Sequence, residues 1–209
     1  MNYLVIEGNI GAGKTSLANM IAKDFNARPV LERFADNPFL PKFYANPERY
    51  SFPLELSFLA ERYNQLKKEL SSRDLFSNFV VADYYFMKSL IFASNTLPVD
   101  ELALYRQLFD IVYSSIPKPD LFVYLHVPVN QLQSNIKKRG RDYEQAIKNE
   151  YLEKIQTGYF AWFKQQNEIP VLILDNASID FVNNKADYKR ITETIFDKNW
   201  PVGINRMLF

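Results

Sequence analysis

The eight residues Gly8-Asn9-Ile10-Gly11-Ala12-Gly13-Lys14-Thr15 spell G-x-x-x-x-G-K-[ST]. They follow a short apolar run, Tyr3 to Ile6, and precede Leu17, Met20, Ile21 and Phe25 at helical spacing. In that context the pattern binds phosphate. Glycines let backbone N–H groups wrap an anion, and the helix N-terminus adds a favourable field. Gly8, Asn9, Ile10, Gly11, Ala12, Gly13, Lys14, Thr15 and Ser16 are therefore the expected cradle for nucleotide phosphates. Lys14 reaches the outer phosphates and the Thr15 hydroxyl coordinates Mg²⁺.

Two acids close short apolar runs: Glu32 after Pro29-Val30-Leu31, and Asp83 after Phe79-Val80-Val81-Ala82. Ligands of an open parallel sheet gather at the carboxyl ends of its strands. One acid there suits activation of a nucleophile and the other suits Mg²⁺, directly or through water. Arg139-Gly140-Arg141, followed by Glu144, puts two guanidiniums on a glycine-containing segment suited to closing over a phosphoryl group. Asn184-Lys185-Ala186-Asp187 matches N-K-x-D, a guanine-reading pattern of GTPases, but the D-x-x-G those proteins also need occurs nowhere. It also opens a helix, so it reads as coincidence. His126, at the end of an apolar run, reads as a structural residue.

The elements that must position these residues follow from periodicity. Strands are expected near 3–6, 29–31, 79–82, 121–125 and 171–174. Between them helical spacing runs from Pro47 to Leu70, over Lys88 to Ser94 and Val99 to Ser115, and over Val129 to Lys138, Glu150 to Gln166 and Lys185 to Phe196. Pro53 argues for a kink in the first of these, or a start nearer that residue. The proline-rich 37–47 stretch reads as loop or broken helix. Five apolar strands alternating with helices mean an α/β fold whose parallel sheet is covered on both faces. The chain has 209 residues, no low-complexity tract and no linker, and is expected to be a single domain over 1–209.

Composition narrows the function. Lys+Arg total 25 against 24 Asp+Glu, a balance that argues against a surface built for nucleic acid. No cysteine means no disulfide, thiolate metal site or cysteine nucleophile, and one histidine rules out a His-rich metal centre. No apolar run approaches the ~18–20 residues of a membrane span, and no leader precedes the first strand, so a cytoplasmic protein is expected.

Beyond the phosphate loop, Asn46-Pro47-Glu48-Arg49-Tyr50-Ser51-Phe52 with Glu55 and Leu59-Ala60-Glu61-Arg62, then Ile91-Phe92-Ala93, then Arg139-Gly140-Arg141 with Glu144, resemble the deoxynucleoside kinase family over nearly the whole chain. The resemblance implies a P-loop kinase fold with an arginine-containing lid at about 137–146. It implies ATP and Mg²⁺ as cofactors, a small deoxynucleoside as substrate, and a homodimer. Residue by residue, Glu32 matches the acid that takes the proton of the sugar 5′-hydroxyl. Tyr44 and Glu144 match the pair on the 3′-hydroxyl, and Arg62 an arginine near the base. Arg139 and Arg141 match the lid arginines on the phosphates, and Asp83 the acid of the Asp/Glu-Arg-Ser motif. Lys14, Glu32 and Arg139 are the expected catalytic groups, and Thr15 and Asp83 the metal ligands. Two departures stand out. Arg33 follows Glu32 where the family usually has proline, and Asp83-Tyr84-Tyr85 lacks the motif's arginine, with an interval to Ile91 one residue shorter. That wording resembles a bacterial purine-acting subgroup, the deoxyguanosine kinases.

At the family's base-reading position, usually glutamine, this chain has Glu55. An amide offers one donor and one acceptor, which suits adenine or cytosine; an ionised carboxylate offers acceptors only and suits the adjacent N1–H and N2–H of guanine. The resemblance and this substitution together point to 5′-phosphorylation of deoxyguanosine, with deoxyadenosine or a broad deoxynucleoside range as the alternative. Two further readings stay open: a nucleoside monophosphate kinase on the same fold, with Arg33 as the extra cation, and a non-catalytic nucleotide-binding subunit.

Overall fold

Residues Tyr3–Gly8, YLVIEG, are buried throughout, and a buried run of that length satisfies its backbone by taking neighbours on both sides in a sheet. The computed structural model, which describes residues 1–33, 37–71 and 76–209, makes this run strand β1. The other strands are β2 (Arg28–Val30), β3 (Val80–Ala82), β4 (Leu121–His126), β5 (Pro170–Asp175) and β6 (Gly203–Leu208). All pairings are parallel, in the order β2-β3-β1-β4-β5-β6. Helices α1 (Lys14–Asp24), α2 (Leu40–Ala45), α3 (Pro47–Ser71), α4 (Lys88–Thr96), α5 (Val99–Tyr113), α6 (Val129–Arg139), α7 (Asn149–Phe163) and α8 (Lys185–Phe196) complete the chain.

The expected α/β architecture is present, with one strand more than expected. The run that forms β6, GINRML, alternates half-buried and exposed residues at the edge of the sheet, and it pairs with β5 from Pro170↔Gly203 to Asp175↔Leu208. An edge strand has a weak apolar signature, and only its long-range partner reveals it. Pro53 does not break α3, which runs continuously from Pro47 to Ser71. Pro47 starts the helix where a missing N–H costs nothing, and at Pro53 the packing of Leu54, Leu59 and Leu66 outweighs one lost backbone bond. Within 37–47, read as loop or broken helix, the chain forms a short helix, α2, over Leu40–Ala45.

The chain divides into two compact units. The first comprises Met1–Leu31, Asp74–Tyr84 and Lys118–Phe209, and the second Glu32–Arg73 and Tyr85–Pro117. The first holds the whole sheet. Period-2 alternation sends Leu4, Ile6, Val123, Leu125, Leu172 and Leu174 into an aliphatic core with residues of α1, α6 and α8. The intervening Phe122 and Tyr124 pack on Tyr159, Trp162 and Phe163 of α7, with ring centroids 5.0–5.7 Å apart. The second unit is helical, and Phe86, Phe109 and Tyr113 form a stack with centroids 5.0–6.2 Å apart. Among the described residues, no helix is long and apolar enough to cross a membrane.

Phe109 is 1% exposed at the centre of that stack. Phe109→Ala is expected to cost about 3–5 kcal/mol, read as a fall in the urea midpoint of the signal from the second unit.

Candidate active site

In the first unit the chain turns from β1 into α1 through residues 9–13, with Gly11 at φ +83° and Gly13 at φ +88°. A side chain at either position would be strained, and a Cβ would lie 3.0 Å from the Leu132 carbonyl oxygen or from Phe181 Cζ respectively. Asn9 braces the loop: its Nδ2 donates to the Leu152 carbonyl at 2.7 Å and its Oδ1 accepts from Ile10 N–H at 2.8 Å. Asn135 Nδ2 donates to the Gly11 carbonyl at 2.9 Å, tying the loop to α6. Buried Glu7 accepts from Gly8 N–H and from the Tyr159 hydroxyl. The first helical bond runs from Leu17 N–H to the Gly13 carbonyl, so the N–H groups of residues 14–16 open the helix with no earlier turn to bond. The Lys14 ammonium donates to the Asn9 carbonyl at 2.9 Å, across the loop.

The Thr15 hydroxyl donates to Asp83 Oδ2 at 2.5 Å. Two hard oxygen donors are thus side by side, one at the start of α1 and one just past β3. Mg²⁺ keeps most of its waters and takes one or two protein oxygens, so this pair fits that ion. Among the described residues, no group of three or more His, Cys, Asp or Glu forms a fuller cage.

Arg139, Arg141 and Glu144 pair with one another. α6 stops at Gly140, and a short 3-10 turn over Asp142–Glu144 follows. Buried Glu144 accepts from Arg139 on one oxygen and from Arg141 at 3.2 Å on the other. Asn184 of the N-K-x-D match caps α8 by accepting from Ala186 N–H, and Asp187 accepts from Asp180 N–H. That four-residue match is therefore a helix-capping device, as coincidence required. Tyr84, standing where the family arginine is missing, is fully buried in the first unit.

The second unit carries a buried charged cluster. Glu32 Oε1 accepts from Arg62 Nε at 2.9 Å and Nη2 at 2.6 Å, and its Oε2 accepts from Lys88 Nζ at 2.5 Å. Arg62 Nη1 donates in turn to Ser89 Oγ at 2.9 Å, and the guanidinium lies over the Phe58 ring. Burial alone would raise the Glu32 pKa, but the charges and hydrogen bonds of Lys88 and Arg62 hold its carboxyl well below the usual carboxylate range. Burial also opposes the charge on Arg62, yet Glu32 holds that guanidinium firmly protonated. Arg62 thus serves Glu32, a partnership that its place near the base in the family pattern did not suggest.

Glu55, on the same helix, is 3% exposed. Its Oε1 accepts from Thr96 Oγ1 at 2.9 Å, and among the described residues its Oε2 takes no hydrogen bond. Burial pushes its pKa up to about 7, against the lowering effects of Arg62, the Thr96 hydroxyl and Lys88. Tyr105 donates to the Glu55 backbone carbonyl at 3.3 Å. Tyr44 is half-buried on α2, edge-on to Phe43.

Sequence reasoning missed Lys88. A lysine opening an amphipathic helix reads as solvated, and nothing in the spacing told that it is 7% exposed and faces a carboxylate fifty-six positions earlier. The available signal was indirect: Asp83-Tyr84-Tyr85 lacks its arginine, and Lys88 is the first cation after it.

The model of the deoxynucleoside kinase family matches residues 4–199. The chain is 39% identical over 193 residues to a deoxyguanosine kinase of Bacillus subtilis, covering 90% of this chain and 93% of that protein. A deoxyguanosine kinase of Lactobacillus acidophilus is 32% identical over 216 residues, covering 97% and 93% respectively. The fold is also that of a solved deoxyadenosine kinase from M. mycoides with bound dCTP. That structure superposes at a TM-score of 0.78, with 24% identity over 94% of this chain and all of that one. Those relatives are phosphotransferases, and the chain belongs to the deoxynucleoside kinase family.

Proposed function

We propose that this protein transfers the γ-phosphoryl group of ATP to the 5′-hydroxyl of a purine deoxynucleoside, with deoxyguanosine preferred. The observation that carries the choice of base is Glu55: a buried carboxylate with one oxygen engaged by Thr96 and the other, among the described residues, without a hydrogen bond. Ionised, it presents only acceptors, which match the two adjacent donors of guanine and mismatch adenine. The names of the relatives at 39% and 32% identity support the same base.

The roles follow from charge and geometry. The loop from Gly8 to Ser16, with the α1 N-terminus, binds the donor phosphates, and Lys14 neutralises the outer ones. Magnesium, held through Thr15 and Asp83, supplies further neutralisation of phosphate charge. Arg139 and Arg141 are already fixed on Glu144, so they are positioned for exchange onto phosphate oxygens as guanidinium–phosphate pairs. Glu144 and Tyr44 serve the sugar 3′-hydroxyl. Glu32, ionised in its cluster, accepts the 5′-hydroxyl proton as the oxygen attacks phosphorus. We read the protein as a cytoplasmic homodimer, as the family pattern implies.

A second reading, deoxyadenosine, has its own support in the Glu55 pKa of about 7. Protonated, Glu55 offers one donor and one acceptor, the pattern that adenine needs. Selectivity is therefore expected to depend on pH, with a worked sign. Above about pH 7 the carboxylate is ionised and guanine is favoured; as pH falls through that value the ratio of kcat/KM for deoxyguanosine over deoxyadenosine falls. The ratio measured from pH 6 to 8.5 checks this, and Glu55→Gln is expected to abolish the dependence and shift preference toward deoxyadenosine by about tenfold or more. An unmoved ratio would remove Glu55 as the reader. Glu32→Gln is expected to keep nucleoside binding, measured by calorimetry, and to lower kcat by about 10²–10⁴-fold; unchanged turnover would remove Glu32 from the chemistry.

A further inference from the structure

We propose that Lys88 is the positioning residue that keeps Glu32 ionised and aimed at its proton. This rests on the reading of Glu32 as the base.

Each Glu32 oxygen is held by a different cation. Arg62 alone grips Oε1 with two N–H groups, and Ser89 Oγ fixes the guanidinium in that orientation. Arg62 thereby anchors the carboxylate but leaves its second oxygen to turn. Lys88 Nζ meets Oε2 at 2.5 Å, and no other hydrogen bond to Lys88 Nζ is present among the described residues. The ammonium side chain is 8% exposed, the carboxylate 12%. A lysine at that depth is tolerated only with a partner, and a carboxylate at that depth without its cation would protonate.

The charges around Glu32 come from three elements. Arg62 and Glu55 face it from α3 and Lys88 from α4, while Tyr105 of α5 adds its field to Arg62 and Glu55. Glu32 and Glu55 are like charges in one cluster, and the Glu32 charge is one of the effects that raise Glu55. Among the described residues two cations hydrogen-bond Glu32: Arg62, which also donates to Ser89, and Lys88, whose ammonium makes no second hydrogen bond and lies over the Phe92 ring. Lys88 is also flexible where Arg62 is locked. A single-point donor on a four-carbon stem can follow Oε2 when that oxygen takes a proton, whereas a forked guanidinium holds one geometry. In the transfer, the 5′-hydroxyl proton passes to Glu32, the O5′–phosphorus bond forms, the bond from phosphorus to the bridging oxygen breaks, and the nucleoside diphosphate leaves. Lys88 neither gives nor takes an atom in this step.

The test compares wild-type protein with Lys88→Met and Lys88→Arg, measuring kcat and KM for deoxyguanosine with Mg·ATP from pH 4.5 to 9. Nucleoside binding is followed by calorimetry and fold by circular dichroism. In Lys88→Met the nucleoside Kd is expected to stay within about threefold while kcat falls about 10–100-fold. The acid limb of kcat/KM should also move up by about one pH unit or more. Lys88→Arg should restore most of kcat and the wild-type limb. A folded Lys88→Met with wild-type kcat and limb would overturn the proposal. So would a loss that is uniform in pH and unrescued by arginine, which is what a packing role alone produces. Should Lys88→Met not fold, the Glu32 carboxyl carbon is followed by NMR in ¹³C-labelled wild-type protein and in Lys88→Arg, with Glu32→Gln as the assignment control. The signal should stay that of a carboxylate throughout the ordinary carboxylate range, and titration near pH 4–5 would overturn the proposal. Full turnover in Glu32→Gln would defeat the base reading itself. An inactive Glu32→Gln beside an unaffected Lys88→Met would defeat only the role of Lys88.

Discussion

A carboxylate taken out of water must find cations, and in this protein the buried side chain of Glu32 finds two, Arg62 on one oxygen and Lys88 on the other. Much of the second unit is arranged to satisfy that requirement. α3 continues through Pro53 to bring Arg62 to the acid, and α4 presents Lys88 and Ser89 on its first turn. Such a cluster is a weak source of stability, because desolvation offsets most of the attraction, while removing one member costs about 3–5 kcal/mol. What the cluster does achieve is electrostatic: it keeps a carboxylate charged where burial alone would neutralise it.

The two buried acids of the second unit are driven apart by their surroundings. Glu32 has cations on both oxygens and is held low; Glu55 has a hydroxyl on one oxygen and is pushed up by burial to about 7. Two carboxylates of the same chemistry thus acquire different properties, one held ionised and one whose hydrogen-bonding pattern depends on its protonation. Environments that separate the pKa values of neighbouring acids are how a fold assigns such roles.

The first unit is built differently, around the backbone at the start of α1. Backbone N–H groups at the start of α1 follow a left-handed loop that carries one lysine, and Asn9, Glu7 and Asn135 brace that loop with hydrogen bonds. The guanidiniums of Arg139 and Arg141 are held on Glu144, whose carboxylate offsets their charge.

The phosphate loop, the alternation of strands and helices and the acids at strand ends were legible from the sequence because each rests on local rules: glycine at left-handed positions, periods of 2 and 3.6, and turn chemistry. The acceptor-only character of an ionised Glu55 was legible too, since donor and acceptor counts belong to the residue type. Other features were decided only by the tertiary structure. β6 exists because β5 offers it an edge, α3 survives Pro53 because its apolar face is buried, and Arg62 turns to Glu32 because that acid lies within its reach. Lys88 was invisible for the same reason: a lysine's meaning depends on whether an anion sits beside it, and Glu32 is brought there by contacts across fifty-six residues that no local pattern encodes.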